Sequence, residues 1–353
     1  MVMAKQRVAV IFGGRSGEHE VSVVSARSVI NALDPERWEA VPIVITRSGA
    51  WLGPAESREA STSTRAAFEG EIGDSVLRSC EALAALASCA VAFPLVHGTY
   101  GEDGTLQGFL EIAGIPYAGC GVAASAIGMD KALMKAIFNE SGIRVTRYLV
   151  IRSWEYTLAQ NLSMQLIEES IGYPCFVKPA NGGSSVGITR ADSREDISGA
   201  IELALRYDDK VVIEQPVRGR EVECSVLGNE DPRASIVGEI EPDRAFYDYE
   251  SKYSESSTTG LHIPARIDPA TASRVQELAI RMYKVMGCEG YARVDFFATD
   301  DGDVVANEIN TIPGFTNISM YPKLWQASGL GYTDLLTRIL ELAFERHERR
   351  ARR

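Results

Sequence analysis

A short apolar run at residues 8–12, ended at once by Gly13 and Gly14, places the strongest constraint on the fold of this chain. A run of this length bounded by glycine is typical of a β-strand. Residues 18–33 follow with apolar side chains at helical spacing, so the glycine pair lies between a strand and a helix. This order predicts an α/β fold whose N-terminal domain is a doubly wound parallel sheet.

Strand and helix patterns continue along the chain and indicate further domains. The sequence predicts strands and helices in this order: strand 40–45, polar stretch 56–73, helix 77–86, strand 90–96, helix 124–140, strands 145–151 and 175–179, and two strands within 220–240. We therefore predict three domains: an N-terminal α/β domain at 1–124, a central α+β domain at 125–219 and a C-terminal α+β domain at 220–353.

Three features stand out in the last domain. Residues 241–259 are polar with little periodicity, and a long stretch of this kind is typical of a lid or a binding loop. An amphipathic helix follows, with Val275, Ala279 and Met282 on its apolar face. Residues 345–353 are so highly charged that we expect a frayed helix end there.

The composition argues against several classes of function and location. The net charge of −12 over 353 residues gives no broad attraction for nucleic acid or an anionic membrane. No run reaches the roughly 20 apolar residues of a membrane span, and no secretory signal precedes the first strand. The six cysteines are scattered and are expected to be reduced. We expect a cytoplasmic protein that places positive charge locally where it binds anions.

The glycine turn after the first strand has two interpretations. Gly13 to Glu18 opens a helix, and free N–H groups at a helix N-terminus favour anions. The spacing is not G-x-G-x-x-G, and a turn used only for chain reversal fits the same residues. This motif alone does not decide between them.

Residues 178–187, K-P-A-N-G-G-S-S-V-G, combine a lysine at a strand end with a loop of glycines and hydroxyls. Glycines allow backbone amides to approach phosphate oxygens, and Lys178 supplies positive charge. The segment is not a Walker A loop. It also contains G-x-S-x-G, the pattern of a hydrolase nucleophile elbow, but that elbow requires a helix directly after the serine. A phosphate loop is favoured over a structural hairpin, and the hairpin over a hydrolase.

Residues 291–310 predict two strands joined by a turn. Alternate residues of a strand share a face, so Arg293 projects with Asp295, and Glu308 projects with Asn310. Pairing of the two strands would set these residues side by side. Two carboxylates and an amide oxygen are suitable hard ligands for Mg²⁺. Solvated surface charge is the alternative interpretation.

Two weaker motifs flank these strands. His97 begins H-G-T-Y-G-E-D-G after a predicted strand and is either a substrate residue or a hydrogen-bonded turn residue. Residues 311–316 contain a Pro-Gly turn, which either is a plain β-turn or aims a backbone N–H at a developing oxyanion, a contribution of roughly 3 kcal/mol.

Taken together, these segments resemble the D-alanine:D-alanine ligases of the ATP-grasp superfamily over residues 7–342. The matching motifs, in order, are G-G at 13–14 with E-H-E-V-S at 18–22, H-G at 97–98 with G-E-D-G at 101–104, M-D-K at 129–131, the 178–187 segment, F-Y-D-Y at 246–249 with K-Y at 252–253, and N-E-I-N-T at 307–311. Six motifs in one order make a chance match improbable.

The resemblance implies where ATP and metal bind. The phosphates are expected on Lys131, Lys178 and the loop residues Gly183, Ser184 and Ser185. The segment from Glu214 to Val217 is expected to contact adenine, and Glu221 the ribose. Asp295, Glu308 and Asn310 are expected to hold two Mg²⁺ ions, with Mn²⁺ as a possible substitute, on the same strand face that the alternation indicates.

The resemblance also implies roles for residues around two D-alanine molecules. Glu18 is expected to receive the ammonium of the first, whose carboxylate forms an acyl phosphate, and His97 to bind substrate. Arg293 and the N–H of Gly314 are expected to stabilise the oxyanion, while Lys252 and Ser319 hold the second carboxylate. A hydrogen-bonded set of Glu18, Ser184 and Tyr253 is expected to close the long loop over the site.

The family implies a homodimer that makes a peptidoglycan precursor for the cell wall. Gly182 departs from the family, in which a bulkier residue is often found, so we expect a more mobile loop. Lys252-Tyr253 is typical of dipeptide-forming ligases, whereas relatives that use D-lactate carry a histidine in that region; D-serine is a further alternative. Rival interpretations are a nucleotide-binding regulator without chemistry and a Rossmann-type oxidoreductase, which the missing G-x-G-x-x-G disfavours.

Overall fold

The computed structural model describes residues 5–62, 79–241, 260–316 and 318–352. Its first sheet is parallel and has the strand order β2-β1-β3, with β1 at Gln6–Gly13, β2 at Trp38–Ile45 and β3 at Val91–Pro94. The predicted first strand is central in this sheet, and its apolar residues are completely buried. The expected α/β character of the N-terminal region is confirmed.

The described part of this region contains the helices α1 at His19–Ala32, α2 at Pro54–Thr62, α3 at Cys80–Ala87 and α4 at Thr105–Ile112. Helix α2 occupies the first part of the polar stretch 56–73, where the sequence pattern predicted no element. At the end of β1 the chain passes close to β2, because a Cβ at Gly13 would lie 2.3 Å from the carbonyl oxygen of Ile45. Gly13 also has a left-handed backbone, which explains glycine at this turn.

The single helix expected at 124–140 is two helices, α5 at Val122–Met129 and α6 at Lys131–Glu140. Asp130 separates them with an extended backbone, and its carboxylate accepts hydrogen bonds from the amides of Ala132 and Leu133 at 3.0 and 3.1 Å. An aspartate in this position starts a helix by satisfying its first free amides. The break places Lys131 at the first position of α6.

The second sheet is antiparallel with the strand order β4-β7-β5-β6. Its members are β4 at Tyr148–Arg152, β5 at Cys175–Pro179, β6 at Thr189–Ala191 and β7 at Lys210–Glu214. Helices α7 at Ser153–Leu158, α8 at Gln160–Ser170 and α9 at Arg194–Ala204 complete this region. The three helices and β7 were not anticipated from the sequence.

The third sheet, also antiparallel, has the order β10-β9-β8-β11-β12. Its members are β8 at Arg220–Leu227, β9 at Arg233–Glu241, β10 at Gly260–His262, β11 at Tyr291–Ala298 and β12 at Val304–Asn310. Helix α10 at Pro269–Val285 buries the predicted stripe, including Val275, Ala279 and Met282. Helices α11 at Met320–Ala327 and α12 at Tyr332–Ala351 end the chain.

The prediction of a frayed end at 345–353 is wrong as far as Ala351. Helix α12 continues to that residue, and Arg346 is buried where its guanidinium donates to the carbonyl oxygens of Gly119 and Tyr117. The same guanidinium stacks on the Tyr117 ring, with 4.1 Å from Cζ to the ring centroid. The charged helix end is therefore held by contacts that a charge pattern alone does not reveal.

The first and third sheets share an aromatic core. Phe93 of β3, Tyr291 of β11 and Phe315 pack edge to face, with ring centroids 5.3 to 6.1 Å apart. This packing brings the loop after β3 next to the end of β12. The expected domain boundaries at 124/125 and 219/220 stay a prediction; the first falls inside α5. Among the described helices, none is long and apolar enough to cross a membrane.

Candidate functional site

Three adjacent strands, β8, β11 and β12, carry a polar cluster on one sheet face. In the register, Arg293 lies opposite Asn310, while Asp295 lies between Glu308 on one side and Glu223 on the other. We call Glu223, Arg293, Asp295, Glu308 and Asn310 the strand platform. A β-bulge follows Asp295, since the next residue of β11 pairs with Ala306 and leaves one residue of β12 over.

Hydrogen bonds fix the platform side chains. The Arg293 guanidinium donates to both carboxylate oxygens of Asp295 at 2.8 and 2.7 Å and lies 3.0 Å from Oε2 of Glu223. The Asn310 amide donates to Oδ2 of Asp295 at 3.0 Å. Burial alone would lower the pKa of Arg293, but Asp295 and Glu223 raise that pKa well above its ordinary value. The guanidinium is therefore a permanent, directed positive charge.

The platform offers suitable donors for a magnesium ion. Asp295 and Glu308 supply carboxylate oxygens from neighbouring strands, and Asn310 supplies an amide oxygen. Among the described residues, no three His, Cys, Asp or Glu side chains gather into a metal cluster. A set of two carboxylates and one amide still fits Mg²⁺, which keeps several waters and takes further oxygens from substrate phosphates.

The segment after β5, residues 181–188, is the glycine loop. It consists of turns and leads into the strand Thr189–Ala191, so no helix follows the serines and the hydrolase interpretation is wrong. Ser184 and Ser185 have left-handed backbones with φ of 49° and 61°. Asp208 holds the start of the loop, because its Oδ2 accepts from the backbone and side-chain nitrogens of Asn181 at 2.8 and 2.9 Å.

Lys131 connects the glycine loop with the strand platform. Its Nζ donates to the carbonyl oxygen of Gly182 at 2.6 Å and lies 3.9 Å from Oε2 of Glu308. The break at Asp130 puts this lysine at the start of α6, where it reaches both elements. The loop and the carboxylate strands therefore border one cleft.

Two further lysines meet one carboxylate in the central region. Lys178 at the end of β5 donates to Oε2 of Glu214 at 2.7 Å, and Lys135 of α6 lies 3.1 Å from Oε1 of the same carboxylate. Burial alone would raise the pKa of Glu214, but Lys178 and Lys135 lower it to about 2. The carboxylate is therefore ionised, and we call these three residues the lysine-glutamate cluster.

The predicted adenine and ribose residues follow this cluster. Val217 is half-buried in the segment that joins β7 to β8, and so links the second sheet to the third. Glu221 of β8 lies opposite Phe297, two residues from the pair formed by Glu223 and Asp295, and so shares their sheet face. These residues lead from the lysine-glutamate cluster toward the platform.

The N-terminal region contributes a third side. Glu18 is buried directly before α1 and accepts a hydrogen bond from the Ser184 hydroxyl. The glycine loop approaches so closely that a Cβ at Gly183 would lie 2.7 Å from Oε2 of Glu18. Ser16 steadies this turn, since its hydroxyl donates to the carbonyl oxygen of His97 at 2.6 Å and accepts from the Glu18 amide at 3.2 Å.

His97 ties the N-terminal loop to the end of β12. Its Nδ1 lies 2.9 Å from the carbonyl oxygen of Ile312 and 4.0 Å from Oε1 of Glu102. Burial alone would lower the pKa of His97, but the Glu102 carboxylate, with a smaller effect of Glu18, raises it. This imidazole favours its protonated form more strongly than an ordinary histidine.

Gly314 and Ser319 lie together beyond β12. A Cβ at Gly314 would lie 2.7 Å from Oγ of Ser319, so a larger residue would displace this hydroxyl. The same hydroxyl accepts from the Thr316 amide at 3.1 Å. The structure thus brings both residues to the end of the platform, while Lys252 and Tyr253 lie outside the described residues.

The comparisons with known proteins identify the family. The D-ala D-ala ligase N-terminus model matches residues 7–120, and the D-ala D-ala ligase C-terminus model matches residues 137–341. The chain belongs to the D-alanine–D-alanine ligase family. The resemblance noted from the sequence motifs is confirmed.

Individual relatives agree over nearly the whole length. The chain is 45% identical to the D-alanine–D-alanine ligase of Ruminiclostridium cellulolyticum, covering 98% of this chain and 97% of the relative. It is 43% identical to the D-alanine–D-alanine ligase A of Escherichia coli K12, with the same two coverages.

Solved structures of this family support the fold. The D-alanine-D-alanine ligase of Coxiella burnetii superposes with a TM-score of 0.82 at 35% identity, covering 99% of this chain and 96% of that one. The VanG D-Ala:D-Ser ligase of Enterococcus faecalis superposes with a TM-score of 0.80 at 35% identity. The superposition covers 96% of this chain and 100% of that one. The predicted ATP-grasp fold class is confirmed.

Four residues of the site escaped the sequence analysis: Glu102, Lys135, Asp208 and Glu223. A signal existed for two of them. Lys135 follows Lys131 by one helical turn, and Glu223 alternates with Glu221 along a strand, so each shares a face with a predicted site residue. Glu102 lies within the G-E-D-G motif noted above, but its contact with His97, like that of Asp208 with Asn181, is a loop contact that no periodicity predicts.

Proposed function

We propose that this protein joins two D-alanine molecules into D-alanyl-D-alanine in an ATP-dependent reaction that releases ADP and phosphate. The observation that carries the proposal is the position of Lys131, which donates to Gly182 of the glycine loop and lies 3.9 Å from Glu308 of the strand platform. A triphosphate in this cleft would meet lysines and glycine amides on one side and carboxylates on the other.

ATP would lie between the second and third sheets. Lys131, Lys178 and the loop residues Gly183, Ser184 and Ser185 would hold its phosphates. The segment from Glu214 to Val217 would contact the adenine, and Glu221 the ribose. The order of these residues along the cleft, from the lysine-glutamate cluster to the platform, supports this orientation.

Asp295, Glu308 and Asn310 would hold two Mg²⁺ ions, with Mn²⁺ as a possible substitute. When bound, these ions would neutralise the charge that develops on the transferring phosphate. Support comes from the donor chemistry and from the register that sets Asp295 opposite Glu308. Arg293 and Asn310 already orient the Asp295 carboxylate.

The first D-alanine would place its ammonium on Glu18, near His97. Its carboxylate oxygen would attack the γ-phosphorus, ADP would leave and an acyl phosphate would form. The amine of the second D-alanine, after losing a proton, would attack the acyl carbon and expel phosphate. Arg293 and the N–H of Gly314 would stabilise the tetrahedral oxyanion between these steps.

The second carboxylate would be held by Lys252 and Ser319, and a hydrogen-bonded set of Glu18, Ser184 and Tyr253 would exclude water from the acyl phosphate. The contact of Ser184 with Glu18 supports this set. The roles of Lys252 and Tyr253 rest on the family resemblance alone. The dipeptide is favoured because K-Y stands at 252–253.

The product would serve peptidoglycan synthesis in the cytoplasm, and the protein would act as a homodimer. An apolar groove of about 400 Å³ beside α3 and α4, lined among others by Leu83, Leu86 and Phe109, supports a contact between two copies in the N-terminal region. Ile112 at the end of α4 does not line the groove, but it directly precedes the lining residue Ala113 and is 91% exposed. Size-exclusion chromatography of Ile112→Lys beside the wild type tests this face, because a charge there would disfavour pairing.

The deciding experiment measures phosphate release by the purified protein with ATP, Mg²⁺ and D-alanine. We expect release that depends on D-alanine and yields D-alanyl-D-alanine by mass spectrometry. Parallel reactions with D-serine or D-lactate as the second substrate, at several pH values, test the alternatives. No D-alanine-dependent release would reject the proposed function, and ATP binding without turnover would favour the regulator.

A further inference from the structure

Lys135 is the most deeply buried charged side chain next to the proposed nucleotide site, and the proposed roles do not use it. It is 1% exposed, and its Nζ lies 3.1 Å from Oε1 of Glu214. The other oxygen of that carboxylate accepts from Lys178 at 2.7 Å. The lysine-glutamate cluster therefore holds two ammonium groups and one carboxylate.

The position is unfavourable for a residue that serves only the fold. Taking an ammonium out of water is costly, and a buried ion pair is often no more stable than apolar side chains of similar volume. Lys135 also follows Lys131 by four residues on α6, where like charges disfavour the helix. Burial lowers the pKa of Lys135, and Glu214 opposes that effect. A methionine would fill the same space without these costs.

The charge of the cluster explains why a lysine is useful here. With Lys178 alone, Glu214 would cancel the ammonium that is expected to meet the nucleotide phosphates. With Lys135 on the inner oxygen, the cluster keeps one net positive charge, and the carboxylate is fixed from both sides. The negative charges of Glu308 and Glu221 also attract the Lys178 ammonium, so positive and negative charges around this lysine nearly cancel.

We propose that Lys135 is a positioning residue for ATP: it anchors the Glu214 carboxylate from inside the protein and leaves the charge of Lys178 available to the phosphates. This inference rests on the proposed function, because it takes the cleft to be a nucleotide site. Lys135 itself is too deeply buried to be assigned a contact with the nucleotide.

The test compares Lys135→Met with the wild type in nucleotide binding and in kinetics. We expect the Kd for ADP and the KM for ATP to rise roughly tenfold, within the range for neighbours in one ion-pair network. The Kd for adenosine and the KM for D-alanine should stay within about twofold, because the lost charge acts on phosphate and falls off with distance. Thermal stability should fall to some extent, because Oε1 of Glu214 would stay buried without its cation while Lys178 still pairs with the other oxygen.

Three further variants separate this role from a structural one. Lys135→Arg keeps the charge and should recover part of the ADP affinity. Lys135→Gln removes the charge with little loss of volume and should behave as Lys135→Met does, which keeps the test valid if the methionine variant folds poorly. Lys284→Met removes an exposed lysine of α10 and should leave every value unchanged.

Two outcomes would overturn the inference: wild-type ADP affinity in a folded Lys135→Met, or equal weakening of ADP and adenosine, which would indicate a change in pocket shape. Failure of the proposed function looks different, because the wild-type protein itself would then release no D-alanine-dependent phosphate, whereas the comparison of ADP with adenosine would still test Lys135. A wild-type protein that bound no ADP would overturn the inference together with the nucleotide site.

Discussion

The strand platform and the glycine loop face one cleft but are held in different ways. Platform residues come from three hydrogen-bonded strands, and the Arg293 guanidinium contacts the carboxylates of both Asp295 and Glu223. The glycine loop, residues 181–188, is half-buried throughout and consists mainly of turns, and Lys131, Asp208 and Glu18 are its main contacts. The difference suggests that the platform is preorganised for charge stabilisation, whereas the loop changes position as substrates bind.

If the platform provides the chemistry, Glu308→Gln should cause the largest loss. We expect kcat to fall about a thousandfold or more, because a lost metal ligand removes several kcal/mol of charge stabilisation. The side chain is 30% exposed, so the fold should remain intact. Phosphate release as a function of Mg²⁺ concentration, together with the thermal midpoint, measures both effects.

The matched control is Glu277→Gln on the exposed side of α10, which should keep wild-type activity. Full activity in Glu308→Gln would remove the metal role from this residue and with it the proposed function of the platform.

Arg293→Met should damage both chemistry and folding, which would distinguish the platform from the loop. We expect kcat to fall by about 10²-fold to 10³-fold, as for the loss of an oxyanion donor. The free energy of unfolding should fall by about 3–5 kcal/mol, because Asp295 and Glu223 would lose the cation that their buried charges share. Phosphate release and urea unfolding measure the two quantities.

Arg293→Lys keeps the charge but not the two-pronged geometry, so it should recover more stability than activity. An unchanged urea midpoint in Arg293→Met would show that the guanidinium does not hold the platform together.

A change in the glycine loop should affect substrate positioning without a loss of stability. Gly183→Ala would place a Cβ 2.7 Å from Oε2 of Glu18 and displace that carboxylate. We expect kcat/KM for D-alanine to fall about tenfold, less than the hundredfold loss that a 1 Å displacement can cause. The thermal midpoint should stay constant, which steady-state kinetics and calorimetry can establish together.

The adjacent Gly182→Ala provides the control, because the nearest atoms to its added Cβ belong to Pro179 at 3.9 Å. Kinetics within about twofold of the wild type are expected, since ordinary contact requires no shift. Equal losses in the two variants would mean that backbone freedom, not the contact with Glu18, limits the loop.

The same contrast separates what the sequence could predict from what it could not. Alternation along a strand predicts that Arg293 and Asp295 share a face, because the period of two is a local property. That Glu223 supports Arg293 depends on β8 lying beside β11, a pairing between strands that are far apart in the sequence. Strand order of this kind is not encoded in periodicity.

The break between α5 and α6 illustrates a second limit. Residues 124–140 have continuous helical periodicity, yet Asp130 interrupts them by accepting hydrogen bonds from the amides that follow. The interruption brings Lys131 to Gly182 and Glu308. Lys135 is similar, since its burial depends on the partner Glu214 contributed by β7. Capping and burial of this kind depend on tertiary contacts that propensity does not contain.

The smallest expected effect concerns His97, which joins the N-terminal loop to the carbonyl of Ile312 beyond the platform. Glu102 raises the pKa of His97 in the folded protein, so protonation of this imidazole stabilises the fold. The stabilisation is fully present below the pKa of the unfolded chain, which is about 6.5. That contribution is lost as the pH rises through the folded pKa. Wild-type urea midpoints measured between pH 6 and pH 9 should include this decline, and Glu102→Gln should flatten it. The Glu102 carboxylate also accepts a hydrogen bond from the Gly98 amide at 2.8 Å, and glutamine can retain this bond. If the urea midpoints of the variant were lower but declined equally with pH, Glu102 would act on the loop backbone and not on the protonation of His97.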